Sequence, residues 1–427
     1  MKAAFYTLGC KVNQYETQAM SQALEKHGFE IVDCSENADV YVINSCTVTA
    51  ESDRKTRQTV RHFKKQNPDS IVVLTGCMPQ ASPEAGAELL QADIVMGNKS
   101  NRFLHEYIMK FINERNRIFA VDSHQKGDPF CGDTITDFRE RTRASVKIED
   151  GCNRFCSYCI IPYARGRVRS KPLDELKNEI SLLERNGFSE IVLVGINLSA
   201  YGLNDSFNIV DAVKTAASFE GIKRVRLGSL EPDHITDEII DKLAKIPEFC
   251  PQFHISLQSG CDKTLKRMNR HYTCEEYRQL CRKLRASFNS TTITTDIMVG
   301  FPGETEENFK ESVAFAKEIG FEKVHVFPYS VRPGTPAAKM TDQVEKSEKT
   351  RRAAIMIEET EKIRAEFLRN QIGRTLEILP EEYHQGCVQG YTANYTPVKI
   401  LGLSEMPVGF IKAKITAVDG DMCIGEI

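Results

Sequence analysis

The sequence predicts an α/β chain in three parts: a doubly wound parallel-sheet domain, an incomplete (β/α)6 barrel and a small antiparallel β-barrel. Three observations predict it. Short apolar runs alternate with helical segments over the first third, about six further βα units follow, and the last sixty residues switch to two-residue alternation with Gly and Asp-Gly punctuation.

The first part is placed at 1–123. KAAFYTL, EIVDC, ADVYVINS, SIVVLTG and ADIVMGN have the length and apolar content of strands. ETQAMSQALEKHG, SDRKTRQTVRHFKKQ, SPEAGAELLQ and SNRFLHEYIMKFINER carry helical periodicity. Segment 124–143, polar and broken by Gly and Pro, is expected to be a linker. The barrel is placed at 144–367, with strands in ASVKIED, EIVLVGI, RVRLGSL, FHISLQS, TTDIMVGF and KVHVFPYS. It ends in a long charged helix, expected to start at a Thr341 or Asp342 cap and to stop at Gly373. Residues 368–427, with TLEILPEE, CVQGYTANYTPVKI and GFIKAKITAVDGDMCIGEI, read as the closing β-barrel.

Composition narrows the function. With 56 Lys and Arg against 59 Asp and Glu, the net charge of −3 gives no overall basic footprint, so any nucleic-acid contact must be local. No apolar run suffices to cross a membrane and the first residues lack the shape of a signal peptide, which points to the cytoplasm. Fourteen cysteines in a reducing compartment point to metal or redox chemistry rather than disulfides. Cys34, Cys131, Cys250, Cys274, Cys281, Cys387 and Cys423 stand singly and read mostly as small buried hydrophobes or bystanders.

Six of the remaining seven form two groups. Cys152, Cys156 and Cys159 make a C-x3-C-x2-C run in GCNRFCSYCIIPYARGR, just after a barrel strand and so at the mouth where barrel enzymes build active sites. Three thiols are one short of a structural zinc site unless a fourth ligand comes from elsewhere. On a 4Fe–4S cluster they leave one iron open to a small molecule. Cys10, Cys46 and Cys77, in TLGCKVNQ, NSCTVT and TGCMPQ, each follow a strand of the first sheet. Strand ends of a doubly wound sheet share one edge, so thiols some thirty residues apart can converge there.

C-x3-C-x2-C with Tyr158 before the last Cys, opening a six-unit barrel, resembles the radical S-adenosylmethionine (SAM) superfamily. The resemblance implies a cluster whose open iron binds SAM, which is cleaved to an adenosyl radical, with Tyr158 near the adenine. It also places Gly195, Asn197, Gln258, Ser259, Asp296 and Gly300 at the SAM pocket, although Asn197 departs from the acidic residue common there. On physical grounds alone, Gly195, Gly300 and Gly303 could serve only turns, and Asp296 could be a buried acceptor for backbone N–H groups.

A second three-Cys group on an N-terminal domain and a terminal small β-barrel extend the resemblance, over essentially the whole chain, to the methylthiotransferases with their C-terminal TRAM domain. TLGCKVNQYE is similar to the branch acting on threonylcarbamoyl-adenosine 37 of tRNA, rather than those acting on isopentenyl-adenosine or a ribosomal protein. The resemblance implies two 4Fe–4S clusters, a second SAM as methyl donor, insertion of a methylthio group at carbon 2 of the base, and an electron donor such as flavodoxin or ferredoxin. The expected partner is the tRNA anticodon loop, and the expected state is a monomer.

Arg165, Arg167 and Arg169 beside the thiol loop are the candidate RNA contacts, with Arg139, Arg141, Arg143, Arg154 and Lys171 nearby. Arg54, Lys55, Arg57, Arg61, Lys64 and Lys65 share one helix, and Tyr391, Tyr395 and Phe410 offer stacking surfaces. A solvated surface is the plain alternative for the helix. A non-catalytic RNA-binding protein with two zinc sites is the rival from another class, disfavoured because no His is spaced near the cysteines of either group.

Overall fold

In chain order the first domain comprises β1 (Lys2–Thr7), α1 (Lys11–Lys26), β2 (Glu30–Val32), β3 (Val40–Ser45), α2 (Ala50–Gln66), β4 (Ile71–Gly76), α3 (Cys77–Ala81), α4 (Pro83–Ala87), β5 (Ile94–Met96), α5 (Leu104–Glu114) and β6 (Ile118–Ala120). A computed structural model of the chain describes residues 1–132, 134–136, 142–203 and 205–427. Arg139 and Arg141 lie outside the described residues.

The strands form one parallel sheet in the order β2-β1-β3-β4-β5-β6. Central strands β3 and β4 are buried at every residue, as strands covered on both faces must be. Strand β6 was not legible, because only Ile118 of IFA is buried. SPEAGAELLQ supplies only the five-residue α4.

The second part holds β7 (Arg143–Lys147), β8 (Glu149–Asp150), α6 (Ile161–Arg165), β9 (Arg169–Ser170), α7 (Leu173–Arg185), β10 (Glu190–Val194), α8 (Ile209–Ala217), β11 (Arg224–Leu227), β12 (Ser229–Leu230), α9 (Asp237–Leu243), β13 (Gln252–Ile255), α10 (Asp262–Arg267), α11 (Cys274–Ser287), β14 (Thr292–Val299), α12 (Glu306–Ile319), β15 (Lys323–Pro328) and α13 (Lys346–Arg369). Its parallel strands form two sheets, β7-β10-β11 and β12-β13-β14-β15, joined where one strand breaks at Gly228. Among the described residues no ladder links β7 to β15, so the barrel is an open arc. Capping boxes at Asn208, Thr273 and Thr305 start α8, α11 and α12. The core is continuous with the first domain: Tyr15 and Ala19 of α1 pack with Ile135, Val146 and Leu176. Ile135, inside the expected linker, is fully buried there.

Helix α13 begins at Lys346, not at Thr341 or Asp342. Asp342 is committed elsewhere: its carboxylate accepts from Arg267 at 2.6 Å and its carbonyl from the Gly303 N–H at 2.8 Å. The helix stops at Arg369, four residues short of Gly373.

The last part is a closed five-strand barrel of β16 (Thr375–His384), β17 (Cys387–Thr392), β18 (Pro397–Leu401), β19 (Ile411–Asp419) and β20 (Met422–Glu426). It is antiparallel except at β18 and β20, which pair in parallel, Val398 opposite Cys423. Among the described residues, no helix is long and apolar enough to cross a membrane.

Candidate functional site

Each expected thiol of the first domain lies at a strand end. Cys10 precedes α1, Cys46 follows β3, and Cys77 opens α3 directly after β4. They converge on Asn13. The Cys10 and Cys77 sulfurs lie 3.7 and 4.0 Å from its Oδ1, and a Cβ at Gly9 would meet Cys46 Sγ at 3.3 Å. The Asn13 amide is fixed by donating to Leu8 O at 2.8 Å and Ser45 O at 3.0 Å. Gly76 sets Cys77: its φ of +95° and ψ of −155° belong to a region open to glycine, and a Cβ would lie 2.5 Å from the Ser45 backbone. Burial pushes the Cys77 thiol up to about 12, and the neighbouring sulfurs add to it.

The second thiol loop leaves β8 through Gly151 and is stapled to the segment after α10. Ser157 donates its N–H to Met268 O at 2.9 Å and its hydroxyl to Arg267 O at 2.8 Å, and Asn269 donates to Phe155 O at 3.1 Å. Arg270 donates to Cys156 Sγ at 3.3 Å while pairing with Glu231. Burial first, then the other sulfurs, raises the Cys159 thiol, and burial pushes Cys152 up to about 12. Tyr158 meets Phe301 edge-on, ring centres 6.4 Å apart.

The expected SAM residues separate into two groups. Gly195 lets Glu149 approach, since a Cβ would sit 2.7 Å from its Oε2, and that oxygen accepts the Asn197 N–H at 2.6 Å. Gln258 holds a φ of +67° at the end of its strand. The Glu149 Oε1, Asn197 Oδ1 and Gln258 Oε1 atoms are buried without a hydrogen-bond partner, which strands three polar atoms unless a ligand reaches them. Asp296 is not a buried acceptor: its carboxylate is 30% exposed and sits 3.3 Å from His254 Nε2. Ser259 is 1% exposed and its hydroxyl accepts the Cys261 N–H, which makes it part of a turn. At Gly300 a Cβ would strike Lys349 of α13 at 2.4 Å, so that glycine serves helix packing.

Most of the basic and aromatic expectations need correcting. Arg165 is not an RNA contact. It is 0% exposed, paired with Glu16 and Asp150, and bonded to Asn13 at 2.6 Å. Lys171 is likewise buried against Glu179, and Arg169 is turned onto Asp150 at 3.3 Å. Of the Arg165, Arg167 and Arg169 series only Arg167 is exposed, its guanidinium 4.7 Å over Phe155. The faces of Tyr391 and Tyr395 are already taken: the rings stack 4.5 Å apart, and Arg143 lies 5.1 Å from each. Arg224 covers Phe410 at 4.4 Å. On α2, Lys64 is tied to Asp93 at 2.9 Å, leaving Arg54, Lys55, Arg61 and Lys65 exposed.

Between these elements lies a cavity of about 640 Å³. Cys10 and Gly195 line one side, and Tyr391, Asn394 and Tyr395 of the small barrel line another. Sequence reading missed Glu149, Glu231, His254 and Arg270. Only Glu149 carried a local signal, an acidic pair immediately before the thiol loop.

The chain fits the groups its thiols imply. Each site offers three sulfurs: Cys10 and Cys77 flank Asn13 with Cys46 beside Gly9, and Cys152, Cys156 and Cys159 share one loop. Cys10, Cys46 and Cys77 would hold one 4Fe–4S cluster and Cys152, Cys156 and Cys159 the other, with the stranded polar atoms beside the second loop for SAM.

Residues 2–97 match the uncharacterized protein family UPF0004, and residues 146–316 match the radical SAM superfamily. The chain is 41% identical to the threonylcarbamoyladenosine tRNA methylthiotransferase MtaB of Bacillus subtilis, over 96% of this chain and 93% of that one. It is 37% identical to the MtaB of Aquifex aeolicus, covering 95% and 98%, and 34% identical to a tRNA-2-methylthio-N(6)-dimethylallyladenosine synthase of Clostridium novyi, covering 99% and 95%. In fold it is similar to the radical SAM methyltransferase TsrM of Kitasatospora setae, with a TM-score of 0.58 at 17% identity, covering 79% and 77%. A non-catalytic zinc protein is therefore not favoured, and this chain belongs to the radical SAM methylthiotransferase family, in its MtaB branch.

Proposed function

We propose that this chain inserts a methylthio group at carbon 2 of threonylcarbamoyl-adenosine 37 in tRNA. The observation that carries the choice of substrate is the character of the cavity. Closed eight-strand barrels fill with branched apolar side chains. Here the strands instead turn Gln252, His254, Thr292, Thr294, Lys323 and His325 into an open space. Lys323 forms no ion pair among the described residues. A threonylcarbamoyl group brings a carboxylate, a hydroxyl and urea N–H groups to such a lining. An isopentenyl group would offer Lys323 neither a counter-charge nor a hydrogen-bond acceptor, the kind of mismatch that discriminates most strongly.

The two clusters, with SAM, supply one-electron chemistry able to break an unactivated aromatic C–H bond. The chain's own part is to hold the Cys10 end of the first thiol site against the cavity, shelter the base from water and orient its substituent. Asn197, Gln258 and Glu149 offer the free polar atoms for SAM, and Tyr158, on the second thiol loop, packs against Phe301. Arg167 and the exposed cations of α2 are the surfaces offered to tRNA phosphates. We take the domains as 1–123, 144–367 and 368–427, and the working form as a cytoplasmic monomer reduced by flavodoxin or ferredoxin.

The test is an anaerobic assay of reconstituted protein with two anticodon stem-loops, one carrying threonylcarbamoyl-adenosine and one isopentenyl-adenosine, read by mass spectrometry of the nucleosides. Methylthiolation of the first alone is expected. Equal turnover of both would remove the argument from the cavity lining.

A further inference from the structure

Arg165 stands six residues after Cys159, on the loop of one thiol site, yet its side chain ends in the other. Its Nε donates to Cys77 Sγ at 3.3 Å. Its Nη2 donates to Asn13 Oδ1 at 2.6 Å and Glu16 Oε2 at 2.9 Å, and its Nη1 pairs with Glu16 and, at 3.5 Å, with Asp150. Asn13 is the residue on which the Cys10 and Cys77 sulfurs converge. One guanidinium thus touches the Cys77 sulfur and the amide that organises the site. It is fully buried, so water does not screen it.

The charges around it do not cancel. Arg165, Lys147 and Arg169 bear three positive charges, and Glu16 and Asp150 two negative ones; all five are tied together within 3.5 Å. One positive charge is left over beside the three thiols. A buried cation with an N–H···S bond favours the more negative, reduced form of a cluster held by those thiols, because both interactions grow with the charge on sulfur.

We propose that Arg165 is a positioning residue of the N-terminal cluster: it hydrogen-bonds the Cys77 sulfur and raises the reduction potential of the cluster that Cys10, Cys46 and Cys77 hold. The barrel domain thereby sets the redox poise of a site built on the other domain. The inference rests on the cluster assignment and not on the identity of the tRNA substrate.

The experiment uses the full-length chain carrying Cys152→Ala, Cys156→Ala and Cys159→Ala, so that only the N-terminal cluster is reconstituted. Iron content and the midpoint potential, from an EPR-monitored redox titration, are measured with Arg165, with Arg165→Met and with Glu16→Gln. Arg165→Met is expected to retain about four irons and to make reduction at least tenfold less favourable, a shift of about 59 mV to more negative potential. Glu16→Gln removes a negative charge and leaves the guanidinium in place, so its midpoint should move the opposite way. If Arg165→Met loses the cluster, Glu16→Gln decides alone. Midpoints that stay put, or move the same way in both variants, overturn the proposal. So does loss of iron from both, which would assign the two residues to folding only.

Discussion

Replacing Gly76 by alanine should remove one cluster and leave the other. The residue joins β4 to Cys77 with φ +95° and ψ −155°, a conformation that costs a non-glycine residue about 1–3 kcal/mol. Its Cβ would lie 2.5 Å from the backbone N and O of Ser45 and from Asn44 Oδ1. Those atoms belong to the fully buried strand β3, which cannot give way as a surface side chain would, so overpacking adds about 1–3 kcal/mol. Together these come to about 4 kcal/mol, borne by the first domain and relieved only by moving Cys77. The assays are iron and sulfide analysis after anaerobic reconstitution, and thermal unfolding. Wild type should hold about eight irons and Gly76→Ala about four. The unfolding transition of the first domain should drop by roughly 15 °C. A variant that keeps eight irons and melts within 2 °C of wild type would refute the view that this turn places the Cys77 sulfur.

Three further outcomes follow from the same geometry. Cys10→Ala and Cys152→Ala should each halve the iron, and added SAM should perturb the EPR signal of the cluster left in Cys10→Ala but not that left in Cys152→Ala; SAM sensitivity in both would void the site assignment. Arg226→Met should loosen the small barrel, because Arg226 donates to Thr392 O and Ala393 O, each at 2.6 Å, and pairs with the buried Glu190; the cost is about 3–5 kcal/mol, seen as faster proteolysis within 370–374, and an unchanged rate would count against it. Burial, then Arg169, holds the His124 imidazole down to about 4, against 6.5 when free. The folded state therefore keeps the ring neutral, and its stability is intact above pH 6.5 and falls as the pH drops toward 4. The loss, about 3 kcal/mol unscreened and roughly 1–2 kcal/mol at this partly open site, should vanish in His124→Gln; an unaltered pH profile of unfolding would exclude His124 as its source.

The sheet of the first domain was readable because β3 and β4 are apolar throughout, and the placement of Cys10, Cys46 and Cys77 followed from strand ends alone. The Arg165, Arg167 and Arg169 series was misread for a definite reason. Gly166 has φ +72° and breaks any regular alternation, and the partner that buries Arg165, Glu16, lies 149 residues away. No local pattern announces a charge pair of that span. The same holds for Tyr391 and Tyr395, whose exposure was a fair inference until Arg143 and Arg226 of the barrel strands covered them. The late start of α13 has the same origin, since Asp342 had the chemistry of a helix cap and Arg267 had a stronger claim on it.

The cavity draws its walls from strands of the open arc and its floor, through Gln389, Asn394 and Pro397, from the small barrel. Walls and floor thus belong to separately built modules. Substitutions of side chains in β17 and the turn after it can deepen, shorten or recharge the chamber without altering the backbone ladder of the parallel strands, so the chamber is free to drift in shape while the strands that carry the thiol loop stay fixed.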